Sequence, residues 1–326
     1  MKYYSWVEKC RPQTLNEIYH QDEIKESFQS FIKNKSIPHL LFYGPSGIGK
    51  TSTIHSICKE IFGKYLKDRV IELNASDERG ISVVREKIKQ FTLELINFKL
   101  DIPPWKVVIL DEADNMTSES QYALRKIMEE NCKTTRFCLI CNYFNKIIDP
   151  IVSRCALFRF KPIPDNIIND CLIKIAKKEK LKCSKKVIIK INEYSRGDLR
   201  KAINFLQRCH NSYGNKLKAF LIDEISGALN SKFIIKFLNN CISCNETEVL
   251  KSINYITCNS YSLVNQINRL HKIIINSNKI NNNKKIKIVS LLGKIDNSLV
   301  RGSNEKIQLY KLSYYIMNLF KKQKSN

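Results

Sequence analysis

At 326 residues the chain is long enough for two or three domains, and 43% hydrophobic with 26% charged residues excludes wholesale disorder. The mean hydropathy of -0.29, with no apolar run near the ~18 residues that cross a bilayer, excludes a helical membrane protein. A net charge of +24 asks for a polyanionic partner, nucleic acid most often, but describes a lysine-biased surface equally well. The start, Met1 to Glu8, lacks the apolar core of a signal peptide, so a cytosolic or nuclear protein is expected.

In chain order, Arg11-Pro12 reads as a rigid entry segment, because proline fixes its backbone. Leu40-Leu41-Phe42-Tyr43 is a short apolar run of the kind a buried parallel strand requires. Gly44-Pro45-Ser46-Gly47-Ile48-Gly49-Lys50-Thr51 follows it and fits G-x-x-x-x-G-K-[ST] throughout. Residues 52–62 then predict a helix with Ile54, Ile57, Cys58 and Ile61 on one face. Strand, glycine loop and helix together place backbone N–H groups and a helix N-terminus around a phosphate. Lys50 would reach its β- and γ-phosphates, and the Thr51 hydroxyl would ligate magnesium.

Residues 69–73 form the next predicted strand, and the Val107–Leu110 run another. Asp111 and Glu112 fall at the carboxyl end of that strand, where α/β sheets place ligands. Asp111 is read toward Mg2+ and Glu112 toward the attacking water; Asp114 is taken as the start of the next helix. Between Met116 and Asn131, Ser118 with Gln121 suggests a capping box, and Leu124, Ile127 and Met128 share a face. Residues 136–142 and 156–160 complete five strands. Strands alternating with helices mean a parallel α/β sheet covered on both sides.

Twelve cysteines without a secretory signal read as reduced thiols. Cys138 and Cys141, three apart on a predicted strand, point to opposite faces and do not chelate one metal. Cys241 and Cys244 have no second ligand pair near them in sequence. Lys161-Pro162-Ile163-Pro164 marks a boundary, and helical spacing dominates after it.

These residues resemble an AAA+ ATPase, and more closely the small subunits of replication factor C, the eukaryotic clamp loader. The resemblance is carried by residues 6–12, 41–45, 72–81, 110–114 and 140–143, by Ser153-Arg154-Cys155, and by Gly197-Asp198-Leu199-Arg200. The wording of residues 134–143 is most similar to the human fourth-subunit and yeast second-subunit type. It implies an α/β fold, a parallel P-loop sheet with helices on both faces, followed by a small helical lid and an all-α collar. The expected segments are 1–160 for nucleotide binding, 161–228 for the lid and 229–326 for the oligomerising collar.

The resemblance also implies roles. Val7 and Arg11 line the adenine pocket, with Cys10 standing where the family has tyrosine. Residues Gly44, Pro45, Ser46, Gly47, Ile48, Gly49, Lys50 and Thr51 bind ATP, and Thr51 and Asp111 bind Mg2+. Asn142 is the first sensor and Arg200 the second. The helical spacing agrees for Arg200, which falls opposite the face formed by Leu199, Ile203 and Leu206. Arg154 is an arginine finger acting in trans on the neighbouring subunit. Arg79, Arg85 and Lys89 are expected to touch DNA phosphates, which position a protein without reading sequence.

The implied protein is an ATP-hydrolysing subunit of a nuclear heteropentamer that opens the sliding clamp PCNA and loads it on primer–template DNA, in replication and repair. Two rivals stand beside it. A non-catalytic AAA+ scaffold is opposed by the intact Lys50, Asp111, Glu112 and Asn142. A homo-oligomeric motor such as a branch-migration helicase is opposed by Ser153-Arg154-Cys155.

Overall fold

A computed structural model describes residues 5–34, 36–74, 81–93, 102–227, 229–278 and 280–321. Its contacts divide the chain into two compact units, Met1–Leu217 and Lys218–Asn326. That single division falls between the two edges expected from the sequence.

The first unit is built on five parallel strands: β1 (Leu40–Tyr43), β2 (Val70–Asn74), β3 (Lys106–Asp111), β4 (Thr135–Cys141) and β5 (Ala156–Arg159). Their spatial order is β2-β3-β4-β1-β5. The central strands carry unbroken apolar runs because both faces are covered: Val108, Ile109, Leu110, Phe137 and Leu139 are all fully buried. Leu41, Val108, Leu110, Phe137 and Leu139 meet Leu124 and Met128 of the Ser118–Glu130 helix in one core.

Register sets the site. Tyr43 at the end of β1 lies beside Cys141 at the end of β4, and Asn74 of β2 lies beside Asp111 of β3. β1 comes first in the chain but sits between β4 and β5, so the loop after it opens where the strand order reverses. Such a switch point is where open α/β sheets hold ligands.

The Ser118–Glu130 helix corrects one expectation. Its N-cap is Thr117, whose side chain accepts from the Ser120 N–H, so Ser118 is already inside the helix. Gln121 does not complete a capping box. It is buried and joins Met116, Lys146 and Ile148 through its amide.

Three helices follow β5: Asp165–Lys178, Lys185–Ser195 and Leu199–Tyr213. A two-residue parallel pair, β6 (Lys182–Cys183) with β7 (Lys216–Leu217), joins them, which no sequence signal announces. The Trp6–Lys9 helix packs on the last of the three. The Trp6 N–H donates to Gln207 Oε1 at 3.0 Å, and its ring stacks on His210 with centroids 5.3 Å apart.

Among its described residues the second unit is all helical: Ala219–Ser226, Ser231–Ile242, Glu246–Cys258, Leu263–Asn276, Asn282–Val300 and Glu305–Lys321. Its core holds Phe237, Leu238, Ile253, Ile274, Ile295 and Leu312. Asparagines recur where helices begin: Asn230 accepts from the Lys232 N–H, Asn245 from Glu248 and Asn304 from Ile307. Glu305 accepts from the Leu263 N–H at 2.7 Å, so one helix supplies the cap of another. No helix among the described residues is long and apolar enough to cross a membrane.

Candidate nucleotide site

After Tyr43 the chain must turn sharply and then enter the Lys50–Phe62 helix. It does so with Gly44, Gly47 and Gly49 at φ of 144°, 70° and 99°. A Cβ at Gly44 would lie 2.5 Å from the Phe160 carbonyl oxygen, and one at Gly47 would lie 1.9 Å from Asp198 Oδ1. Glycine is therefore favoured at both positions by conformation, and at Gly44 also by contact with fixed backbone.

Ser46, Gly47, Ile48, Gly49, Lys50 and Thr51 line a cavity of about 200 Å³. Val7, Arg11, Asp111, Glu112, Asn142 and Arg200 line the same cavity. Gly44 and Pro45 do not. Their carbonyl oxygens each accept from Lys50 Nζ at 2.7 Å, so they orient the lysine instead.

The third Lys50 donor goes to Asn142 Oδ1 at 2.9 Å. Lys50 is 6% exposed, and burial pushes its pKa down while Asp111 pulls it back up. These three hydrogen bonds all go to neutral oxygens. A buried ammonium in that setting is costly and gains from an incoming anion.

Thr51 Oγ1 donates to Asp111 Oδ2 at 2.8 Å, and Asp111 Oδ1 accepts from the Glu112 N–H at 2.8 Å. A hydroxyl and a carboxylate held together are hard oxygen donors, which fits Mg2+. Glu112 itself is left-handed, at φ 55°, an uncommon conformation for a non-glycine residue at a strand end.

Asp114 does more than begin a helix. It sits in the short Ala113–Asn115 turn, is 6% exposed, and its Oδ2 accepts from the N–H groups of Asn142 at 3.3 Å and Tyr143 at 3.2 Å. Asp114 thus fixes the exit of β4, where Asn142 stands. The sequence reading missed this role, since the partners are 28 and 29 residues away. It also missed the wall formed by Ile18, Tyr19, Ile163, Cys171 and Ile203, which come from separate elements and share no motif. Burial raises the Tyr19 hydroxyl and Cys171 thiol, so both are neutral there. Cys10 lines the cavity beside them.

Arg200 opens the Leu199–Tyr213 helix, whose N-cap is Asp198. Arg154 lies outside this cavity and borders a separate groove with His39, Cys132 and Arg136. Its guanidinium meets Glu129 Oε1 at 2.5 Å and donates to the Pro150 carbonyl at 2.7 Å. Arg125 first, and then Arg154, hold the Glu129 carboxyl below its ordinary range. Arg79 and the side chain of Arg85 lie outside the described residues. Lys89 is exposed on the Ile81–Leu93 helix, next to the buried Ile88. Among the described residues no group of three or more His, Cys, Asp or Glu side chains could hold a metal ion.

Comparison with known proteins follows these parts along the chain. Residues 40–163 match the ATPase family associated with various cellular activities (AAA), residues 170–209 the RCF1/5-like AAA+ ATPase lid domain, and residues 230–314 the replication factor C C-terminal domain. The chain is 42% identical to replication factor C subunit 4 of Homo sapiens, covering 96% of this chain and 87% of that protein. It is 40% identical to replication factor C subunit 2 of Saccharomyces cerevisiae, over 96% and 93%. The replication factor C small subunit of Archaeoglobus fulgidus is 39% identical over 97% and 98%. Among solved structures, the Thermotoga maritima RuvB Holliday junction branch migration motor aligns with a TM-score of 0.53 at 18% identity, over 73% of this chain and 80% of that one. That likeness concerns the fold alone.

Proposed function

This chain belongs to the replication factor C small-subunit family, and from that premise we propose that it binds ATP with Mg2+ and helps open the sliding clamp PCNA for loading on primer–template DNA. It is an AAA+ ATPase and a clamp-loader subunit of DNA replication. The finer reading adds a heteropentamer, a nuclear location and a part in repair. In it, residues 1–160 bind nucleotide, 161–228 form the lid and 229–326 the collar.

One observation carries the catalytic part: six residues of the glycine loop share a single cavity with Asp111, Glu112, Asn142 and Arg200. Lys50 would hold the β- and γ-phosphates, exchanging its carbonyl and Asn142 contacts for charged ones. Thr51 and Asp111 would hold the Mg2+, which when bound neutralises charge on the phosphates. Glu112 would polarise the attacking water, and Asn142, held by Asp114, would position that water or the γ-phosphate. Arg200 would reach the nucleotide from the lid, and Val7 and Arg11 would border the base. Arg154, outside its own cavity, suits a role at the neighbour's site. Arg79, Arg85 and Lys89 would follow the DNA phosphate backbone.

The test is the native mass of what co-purifies with the tagged chain in ATP, with its ATPase measured with and without clamp and primer–template DNA. A single-copy assembly of related small subunits and one larger one, stimulated by both, is expected. A homo-hexamer, or ATPase indifferent to clamp and DNA, overturns the reading in favour of a motor.

A further inference from the structure

We propose that Asp198 is a positioning residue that latches the lid helix to the phosphate loop, presenting Arg200 to the nucleotide only while Ser46 and Gly47 hold their cradling conformation. The inference rests on the reading of Arg200 as a nucleotide contact.

The carboxylate has two oxygens and they serve different elements. Oδ1 accepts from the Lys201 N–H at 3.0 Å and so caps the Leu199–Tyr213 helix. Oδ2 accepts from the Ser46 hydroxyl at 3.2 Å, across 152 residues of sequence. The backbone makes a parallel link, with the Leu199 N–H donating to the Gly47 carbonyl at 3.2 Å. Asp198 is only 8% exposed, and its carboxylate lies so close to Gly47 that any Cβ there would collide with it. The helix end, the carboxylate and the bare Cα of Gly47 therefore fit as one contact.

The chain reaches Asp198 through a tight turn. Arg196 and Gly197 are both left-handed, at φ 54° and 82°, so Asp198 is set by the turn that ends the Lys185–Ser195 helix. Lys201 Nζ stands 3.6 Å from Oδ2 but is 71% exposed, so the ammonium screens the carboxylate without holding it. A phosphate group that reshapes Ser46–Gly47 would move the helix start with it, and Arg200 stands two positions on from Asp198.

The two oxygens can be separated by mutation. Serine caps a helix nearly as well as aspartate but lacks the second oxygen and the reach to Ser46. In the full chain, Asp198→Ser should stay folded and melt a few degrees below wild type, since the cap is kept and one hydrogen bond is lost. Its mant-ADP should dissociate about tenfold faster, as expected for losing a hydrogen bond to a charged group. Asp198→Asn keeps the capping oxygen and its Nδ2 can donate to the Ser46 hydroxyl in place of the bond the carboxylate accepted, so it should recover part of that loss. Adding Ser46→Ala to Asp198→Ser should change the dissociation rate less than the two single effects combined.

Wild-type dissociation in Asp198→Ser, with Arg200→Ala impaired, would reduce Asp198 to a helix cap and overturn the latch. Additive effects of Asp198→Ser and Ser46→Ala would overturn it as well. If Arg200→Ala itself leaves dissociation and hydrolysis unchanged, the failure belongs to the Arg200 assignment.

Discussion

Asp114 Oδ2 holds the Asn142 and Tyr143 N–H groups, so the first polar residue after β4 is placed by a carboxylate from the turn after β3. Replacing Asp114 by alanine leaves two donors to find other partners. The cost should be about 1–3 kcal/mol in urea unfolding, from the unsatisfied groups. The catalytic signature should be a fall in kcat of about tenfold with nucleotide affinity within about twofold, because Asn142 loses its orientation while Lys50 and Thr51 keep their places in the cavity. Steady-state ATPase against mant-nucleotide titration reads the difference. His39 offers a second residue-scale prediction. Its Nδ1 accepts from the Phe137 N–H at 3.1 Å, and burial, then the Arg136 guanidinium, lower its pKa to about 4. Between about pH 6.5 and 4 the unfolded chain binds a proton there that the folded chain refuses. Stability from this group is complete above pH 6.5 and declines as pH falls toward 4. Melting temperature should therefore drop over that window in wild type and drop less in His39→Asn. The glycine loop and Asp111 were legible in the sequence because each is a local spacing after an apolar strand. Asp114 and His39 were not, because their partners are backbone N–H groups on or just after β4, distant in sequence.

At the scale of elements, the sequence carries what is periodic and omits what is single. The five strands appear as apolar runs, and the Lys50–Phe62 helix appears as a spacing, with Ile54, Ile57 and Cys58 buried as expected and Ile61 half-buried. The β6–β7 pair, at two residues each, has no period to read. The start of the Ser118–Glu130 helix was misread because Thr117 and Ser118 are both capping residues, and only geometry chooses Thr117. The choice frees Gln121 for another task. Its Nε2 donates to the Met116 and Lys146 carbonyls at 3.3 and 2.9 Å, and its Oε1 accepts from the Ile148 N–H at 2.9 Å. One 2% exposed amide therefore ties the helix entry to residues 146–148, just before the Asp149–Val152 helix that precedes Arg154. Gln121→Ala should cost about 2–4 kcal/mol in chemical denaturation, since three backbone groups lose a partner at once. Gln121→Glu should cost about as much, because the carboxylate keeps the acceptor and loses both donated bonds. A loss below about 0.5 kcal/mol in both variants would show that the amide is not the tie.

At the scale of the molecule, the first unit was more legible than the second. A nucleotide-binding sheet needs particular residues at particular turns, whereas a helical bundle needs only apolar spacing, which isoleucine and leucine supply in many registers. Arg154 differs from the other site residues, because the nucleotide it is proposed to act on belongs to a neighbour. In this chain it pairs with Glu129 outside the cavity that Lys50 lines. A finger acting in cis and a finger acting in trans then differ in their arithmetic. If Arg154 served its own site, Lys50→Ala and Arg154→Ala would disable the same centre, and the double variant would lose no more than the worse single one. If it serves the neighbour, each variant silences a different centre, and the two losses in the assembly's ATPase combine. The expected result is the second: Arg154→Ala leaves this chain's own nucleotide affinity unchanged, slows the adjacent site by about 10²-fold or more, and adds to Lys50→Ala. A double variant indistinguishable from Lys50→Ala would assign the arginine to its own chain's site.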